Sequence, residues 1–183
     1  MKANNVNLHR DIIQDCLDGQ PNGYEKLYKL YSRAMYNVCF RIVNDRDDAE
    51  DVMQEAFVNA FNNLKSYKGD ASFGAWLKRI MINMAINFVK KKHLETVSLD
   101  SQFENLSDEE AKPEPVYSVE TIHKAIQQLP DGYRMVFSLY LLEGYDHSEI
   151  AEILDITEST SRSQYNRSKN KLRELIKNNN GKG

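Results

Sequence analysis

Apolar residues recur at spacings of three and four through nearly the whole chain, and no stretch alternates with the period of two that a strand requires. Tyr24, Leu27, Tyr31, Met35, Val38 and Ile42 form one such stripe and predict a helix from Asn22 to Val43. Ala49, Val52, Met53, Ala56, Phe57, Ala60, Phe61 and Leu64 form the next. Asp45 or Asp47 is placed to cap it. Phe73, Trp76, Leu77, Ile80, Met81, Met84, Ala85 and Phe88 form a third, opened by Ser72 and closed by Lys90-Lys91-Lys92. A shorter stripe of Leu8, Ile12, Ile13 and Leu17 precedes them and stops at Gly19 and Pro21. The pattern breaks once for long, between Glu95 and Tyr117, where two of the four prolines and seven acidic residues against one basic remove any sustained apolar face. The expectation is an all-α chain of two small helical domains, 1–94 and 119–178, joined by a flexible acidic linker, 95–118, and followed by a disordered tail, 179–183.

Several function classes lose support at this point. Cys16 and Cys39 are far apart and sit among apolar residues, which suits buried thiols rather than a disulfide or a CxxC pair. His9, His93, His123 and His147 have no partner at metal-binding spacing, so no metal or cofactor is expected. No GxGxxG, GxxxxGK[ST] or GxSxG occurs, so no catalytic residue is assigned and the chain is not read as an enzyme. No apolar run reaches the roughly 18 residues of a membrane span. The first residues are polar, so membrane insertion is not expected and a cytoplasmic location is.

The second half carries the clearest motif. Ser118 opens a helix that Pro130 ends. Tyr133, Val136, Phe137, Tyr140 and Leu141 predict another, with Gly144 as its stop. Asp146-His147-Ser148-Glu149 reads as an Asp capping box before Ile150, Ala151, Ile153 and Leu154. After a break at Ile156-Thr157-Glu158, a polar, basic helix runs to about Lys177. A short apolar helix, a tight turn and a longer polar helix form a helix-turn-helix, whose second helix lies in the major groove. The segment 160–183 carries seven basic residues against one acidic, although the whole chain is at −3. The residues expected to face DNA are Ser159, Thr160, Ser161, Arg162, Ser163, Gln164, Arg167, Ser168 and Lys171. Arg reads guanine, Gln reads adenine, and hydroxyls and Lys hold phosphates. A helical hairpin with a solvated basic face has the same pattern.

Two further clusters have double readings. Asp47, Asp48, Glu50, Asp51 and Glu55 suit the positive end of a helix dipole, or a basic partner surface. Phe73, Trp76 and Leu77 are core-like by spacing. Yet Lys65, Lys68, Lys78, Arg79, Lys90, Lys91 and Lys92 surround them, as at a site where unpaired bases stack while cations hold the backbone.

The stretch Leu129-Pro130…Arg134-Met135-Val136-Phe137…Leu142-Glu143-Gly144-Tyr145…Glu149-Ile150-Ala151, with Thr160-Ser161-Arg162-Ser163…Arg167-Ser168-Lys169…Leu172, resembles the −35-reading domain of the extracytoplasmic-function sigma factors. Asp47…Ala49-Glu50-Asp51-Val52…Gln54-Glu55-Ala56-Phe57 resembles the polymerase-binding helix of that family, and Phe73…Trp76-Leu77…Ile80…Asn83 its −10-reading and melting helix. The resemblance implies core RNA polymerase and promoter DNA as partners, with an anti-sigma factor as a further one. It implies polymerase contacts at Asp48, Asp51, Gln54, Glu55 and Phe57. It implies −10 contacts at Tyr67, Lys68, Phe73, Lys78, Arg79, Asn83, Asn87, Lys90 and Lys91, with Trp76 largely structural. Asn87 stands where Asp is usual, and Ser161 where Val is usual. Two rivals remain at this point: an autonomous helix-turn-helix regulator that does not use core polymerase, and a helical enzyme whose site leaves no linear motif.

Overall fold

A computed structural model describes residues 9–95 and 117–180. The chain divides into two compact units, Met1–Glu95 and Thr96–Gly183, and the described residues contain helices and turns but no strand. The expected linker falls almost wholly outside the described residues. Glu95 closes the last helix of the first unit, and Tyr117 and Ser118 lead into the second.

The first unit holds α1 (Arg10–Leu17), α2 (Pro21–Val43), α3 (Arg46–Asn62) and α4 (Phe73–Glu95). Its centre is α2, which packs against the other three. Leu27, Met35, Val38, Cys39 and Ile42 of α2 are buried at the spacing the sequence predicts. Ala49, Ala56 and Ala60 of α3 are fully buried, and their small side chains let α3 approach closely. Leu77, Met81, Ile82, Ala85 and Ile86 of α4 complete the core. Removing a side chain such as Leu77 would cost about 2–5 kcal/mol. The α1–α2 joint depends on Gly23: a Cβ there would stand 2.8 Å from Cys16 Sγ and 3.0 Å from Cys16 N. Burial holds the Cys39 thiol up at about 12, so it remains protonated and inert.

Local chemistry sets the boundaries. Asn44 ends α2 in the left-handed conformation (φ 62°), and Asp45 caps α3 by accepting from the Asp47 and Asp48 amides, both at 3.0 Å. The Ser72 hydroxyl accepts from the Ala75 amide at the start of α4.

The second unit holds α5 (Val119–Gln127), α6 (Asp131–Phe137), α7 (His147–Leu154) and α8 (Glu158–Asn180). Ala125, Leu129, Phe137, Leu172 and Ile176 form its core. The buried Arg134 donates to the Leu129 carbonyl (2.9 Å) and the Asp131 carboxylate (2.5 Å), tying the α5–α6 turn to α6 with its charge compensated. The expected single helix from Tyr133 to Leu141 is instead α6 followed by a wide π turn, Ser138–Leu142, in which the Glu143 amide donates to the Ser138 carbonyl. Leu139 points inward, and Tyr140, Leu141 and Leu142 are exposed. Of the expected tail, Asn179 and Asn180 are helical, and 181–183 lie outside the described residues.

Candidate nucleic-acid and partner interfaces

On α3, the buried Ala49, Val52, Ala56 and Ala60 turn Asp47, Asp51, Gln54 and Glu55 outward along one exposed polar stripe. Two expected members do not join it. Phe57 is buried (2% exposed) between Tyr28, with ring centroids 4.9 Å apart, and Phe61, at 5.6 Å. Its helical phase is that of Met53 and Ala60, so it belongs to the core. Asp48 is half-buried and paired with Lys92 of α4 at 2.6 Å, which fastens the start of α3 to the end of α4. The apolar residue on the outer stripe is Val58, 60% exposed and one turn beyond Gln54 and Glu55. Sequence reading missed it. The signal was phase: a valine four residues after Gln54 and seven after Asp51 shares their face.

The turn between α3 and α4 rests on an aromatic cluster. Phe73 packs edge-on against Tyr31 and Tyr67 and lies 5.4 Å from Trp76, while Tyr67 lies 5.4 Å from Trp76. Phe73 is 3% exposed, so it is a floor for the loop and not a surface that bases could stack on. Tyr67 is half-buried, and its hydroxyl donates to the Ala71 carbonyl at 2.7 Å, closing the 67–72 loop with Lys68 on its exposed side. Burial, and then the neighbouring Asp70, push the Tyr67 phenol above its ordinary range, so it stays a neutral donor. Along α4, Arg79, Asn83, Asn87 and Lys90 are exposed at spacings of four, four and three, forming one polar face, with Lys91 exposed beside it. Lys78 and Trp76 are half-buried at its margin.

In the second unit the capping box is complete. Asp146 accepts from the Glu149 amide (2.8 Å), and the Glu149 carboxylate accepts from the Asp146 amide (2.9 Å). Asp155, left-handed at φ 58°, ends α7. Thr157 caps α8, its hydroxyl accepting from the Thr160 amide at 3.0 Å. The exposed side of α8 then carries Ser159, Arg162, Ser163 and Asn166. Arg162 is paired with Glu158 one turn earlier. Thr160, Gln164, Arg167 and Lys171 are half-buried along the flanks, and Lys171 pairs with Glu174 at 3.0 Å.

Two serines expected at the DNA surface lie on the opposite side. Ser161 and Ser168 are fully buried. They belong to the inward stripe that continues through Leu172 and Ile176, and their small side chains allow α8 to pack closely. Ser161 Oγ lies 2.9 Å from His147 Nδ1, and Ser168 donates to its own helix, at the Tyr165 carbonyl. Neither reaches a groove. Asn166, in turn, was missed. It lies four residues after Arg162 and three after Ser163, and an asparagine amide can read adenine. No group of three or more metal-ligating side chains occurs among the described residues, and none of their helices is long and apolar enough to cross a membrane.

Residues 27–94 match Sigma-70 region 2, and residues 120–172 match Sigma-70, region 4. The chain is 30% identical over 182 residues to the ECF RNA polymerase sigma-E factor of Escherichia coli K12, covering 91% of this chain and 95% of that protein. It is 29% identical over 177 residues to the ECF RNA polymerase sigma factor SigW of Bacillus subtilis 168, covering 90% of this chain and 95% of the other. Two solved structures share the fold. The sigma factor RpoE of Bartonella quintana, crystallised with the anti-sigma factor NepR, gives a TM-score of 0.58 at 22% identity over 84% of this chain and 96% of that one. CnrH, solved with the cytosolic domain of CnrY, gives 0.55 at 20% identity over 92% and 96%.

Proposed function

The chain belongs to the extracytoplasmic-function RNA polymerase sigma factors, and from that premise we propose which of its surfaces perform each step of initiation. It binds core RNA polymerase, directs it to promoters and opens the duplex. The alternative of an autonomous regulator is set aside, because the family match extends over residues 27–94 as well as over the helix-turn-helix. A sigma factor works through binding energy. Melting follows when unstacked bases are captured better than paired ones, so the protein needs preformed sites more than reactive groups.

In this reading the outer stripe of α3 docks on the polymerase through Asp51, Gln54, Glu55 and Val58. The 67–72 loop and the face Arg79–Asn83–Asn87–Lys90 of α4 take the −10 strand. Lys68, Lys78 and Lys91 hold its phosphates, and the buried Phe73 keeps the loop in shape. Arg162, Ser163 and Asn166 read the −35 element. Arg167, Lys169 and Lys171 meet the backbone. The functional boundaries are 1–94, 95–118 and 119–178. The cytoplasm is its location, since its polymerase and promoters are there. An anti-sigma factor is its regulator; the RpoE neighbour is solved in complex with one.

The carrying observation is the exposed face of α8, where a capped helix-turn-helix turns Arg162, Ser163 and Asn166 to one side. Holoenzyme formed with the full chain is therefore expected to select a defined −35 sequence from a randomised library. Arg162→Ala and Asn166→Ala should each relax the preference at particular positions, by about ten-fold per lost bidentate contact. An unchanged selected sequence in both variants would remove α8 from that role.

A further inference from the structure

The joint between α7 and α8 has a polar contact beside the buried Ile150 and Leu154 of α7. Ser161 is fully buried, His147 is 8% exposed, and their side chains meet at 2.9 Å. The His147 ring also lies flat against Tyr140 of the π turn, with centroids 4.4 Å apart and planes 12° from parallel, and tilts against Tyr165 of α8 at 5.8 Å. The π turn and α8 thus both converge on the imidazole of α7. The hydrophobic effect is itself non-directional, whereas a hydrogen bond fixes both distance and angle. Water cannot replace this bond without entering the seam, so breaking it strands a buried polar atom.

Ser161 is immediately followed by Arg162 and Ser163 in a helix that turns about 100° per residue. Holding Ser161 inward therefore decides where the next five side chains point. We propose that His147 is a positioning residue for promoter reading: its hydrogen bond to Ser161 sets the roll of α8 on α7, and so which of Arg162, Ser163 and Asn166 face the DNA. This rests on α8 being the −35 reader.

The neutral imidazole is the form that fits. His147 is the first residue of α7, where the positive end of the helix dipole opposes a cation. Burial acts in the same direction and most strongly, and Arg162 of α8 adds to it. Asp146 at the cap and Glu158 of α8 oppose it, while Tyr140 and Tyr165 present ring faces. The net effect places the ring below the ordinary histidine range, so a falling pH forces charge into a joint built without room for it.

The test uses full-length chain in holoenzyme, reading the ratio of the selected −35 duplex over a scrambled one at pH 8 and pH 6, with helix content checked by circular dichroism. Ser161→Ala should lower discrimination about three- to ten-fold at pH 8, as expected for one buried neutral hydrogen bond. His147→Ala should do the same at both pH values. His147→Asn, whose amide can stand where Nδ1 stands, should recover most of the discrimination and show no decline at pH 6, whereas the unaltered chain declines. Full discrimination in Ser161→Ala, or a decline in His147→Asn equal to that of the unaltered chain, would overturn the assignment. An unchanged selected sequence in Arg162→Ala would instead remove the −35 reading, and this inference with it.

Discussion

Phe57 and Val58 are adjacent on α3, yet they should fail in opposite ways when truncated. Phe57 is 2% exposed and makes ring contacts with Tyr28 and Phe61. Phe57→Ala removes a buried aromatic side chain, at a cost of about 3–5 kcal/mol. A domain of this size carries only about 5–15 kcal/mol in total, and each kcal/mol shifts its midpoint by about 4–8 °C. The first unit should therefore melt roughly 12–40 °C lower. Val58 is 60% exposed. Val58→Ala removes two methyl groups from a surface that only a partner covers, and it improves helix propensity by a few tenths of a kcal/mol. Its melting point should hold or rise slightly. Its affinity for core polymerase should fall about five-fold, from roughly 1 kcal/mol of lost contact.

The single tryptophan makes the assay specific, because Trp76 lies in the first unit and reports its unfolding alone. Fluorescence melts would be run beside competition for core polymerase at a temperature where both variants are folded. A Phe57→Ala protein that melted normally but bound polymerase poorly would show that Phe57 faces the partner, and the phase argument for α3 would collapse. A Val58→Ala protein with undiminished affinity would confine the interface to the acidic part of the stripe.

Two other outcomes follow from the same surfaces. Asp51→Lys with Glu55→Lys reverses two exposed charges one turn apart, so polymerase affinity should fall about ten-fold while the Trp76 melt moves by no more than a few degrees; a lower melting point with unaltered affinity would make them structural. The second unit should lose stability in acid, because the unfolded chain binds a proton at the ordinary histidine value of 6.5, before the buried His147 does. Its stability should be complete above about pH 7 and fall as pH drops from there through the lowered folded value, read as faster hydrogen exchange of α7 and α8 amides, and His147→Asn should flatten that profile.

The helices, their caps and the division into two blocks were legible because each rests on local chemistry. The α2 stripe from Leu27 to Ile42 needs only a period, and Asp45, Ser72 and Asp146 each cap within three residues. The departures are settled by helical phase. Serine is polar and suits a DNA surface by type, yet Ser161 and Ser168 align with Tyr165, Leu172 and Ile176, and their size is what the close packing uses. The family resemblance implies partner contacts for Phe57 and Phe73, although each lies in phase with buried neighbours. The Asp48–Lys92 pair joins residues 44 apart, and the π turn depends on where the Glu143 amide finds a carbonyl, so neither had a local signal.

The two helices proposed to face DNA are held in different ways. Large apolar residues are buried along most of α4, from Phe73 to Val89. The inward stripe of α8 carries Leu172 and Ile176 toward its C-terminal end, where they pack on Ala125, Leu129 and Phe137, and Tyr165 nearer its start, where its ring meets Phe137, Tyr140 and His147. Ser161 and Ser168 also point inward and are fully buried. Two directional contacts are added at the start of the helix: the Thr157 cap on the Thr160 amide and the His147–Ser161 contact. The proposed lock thus lies within one turn of Arg162 and Ser163, two of the residues proposed to read bases.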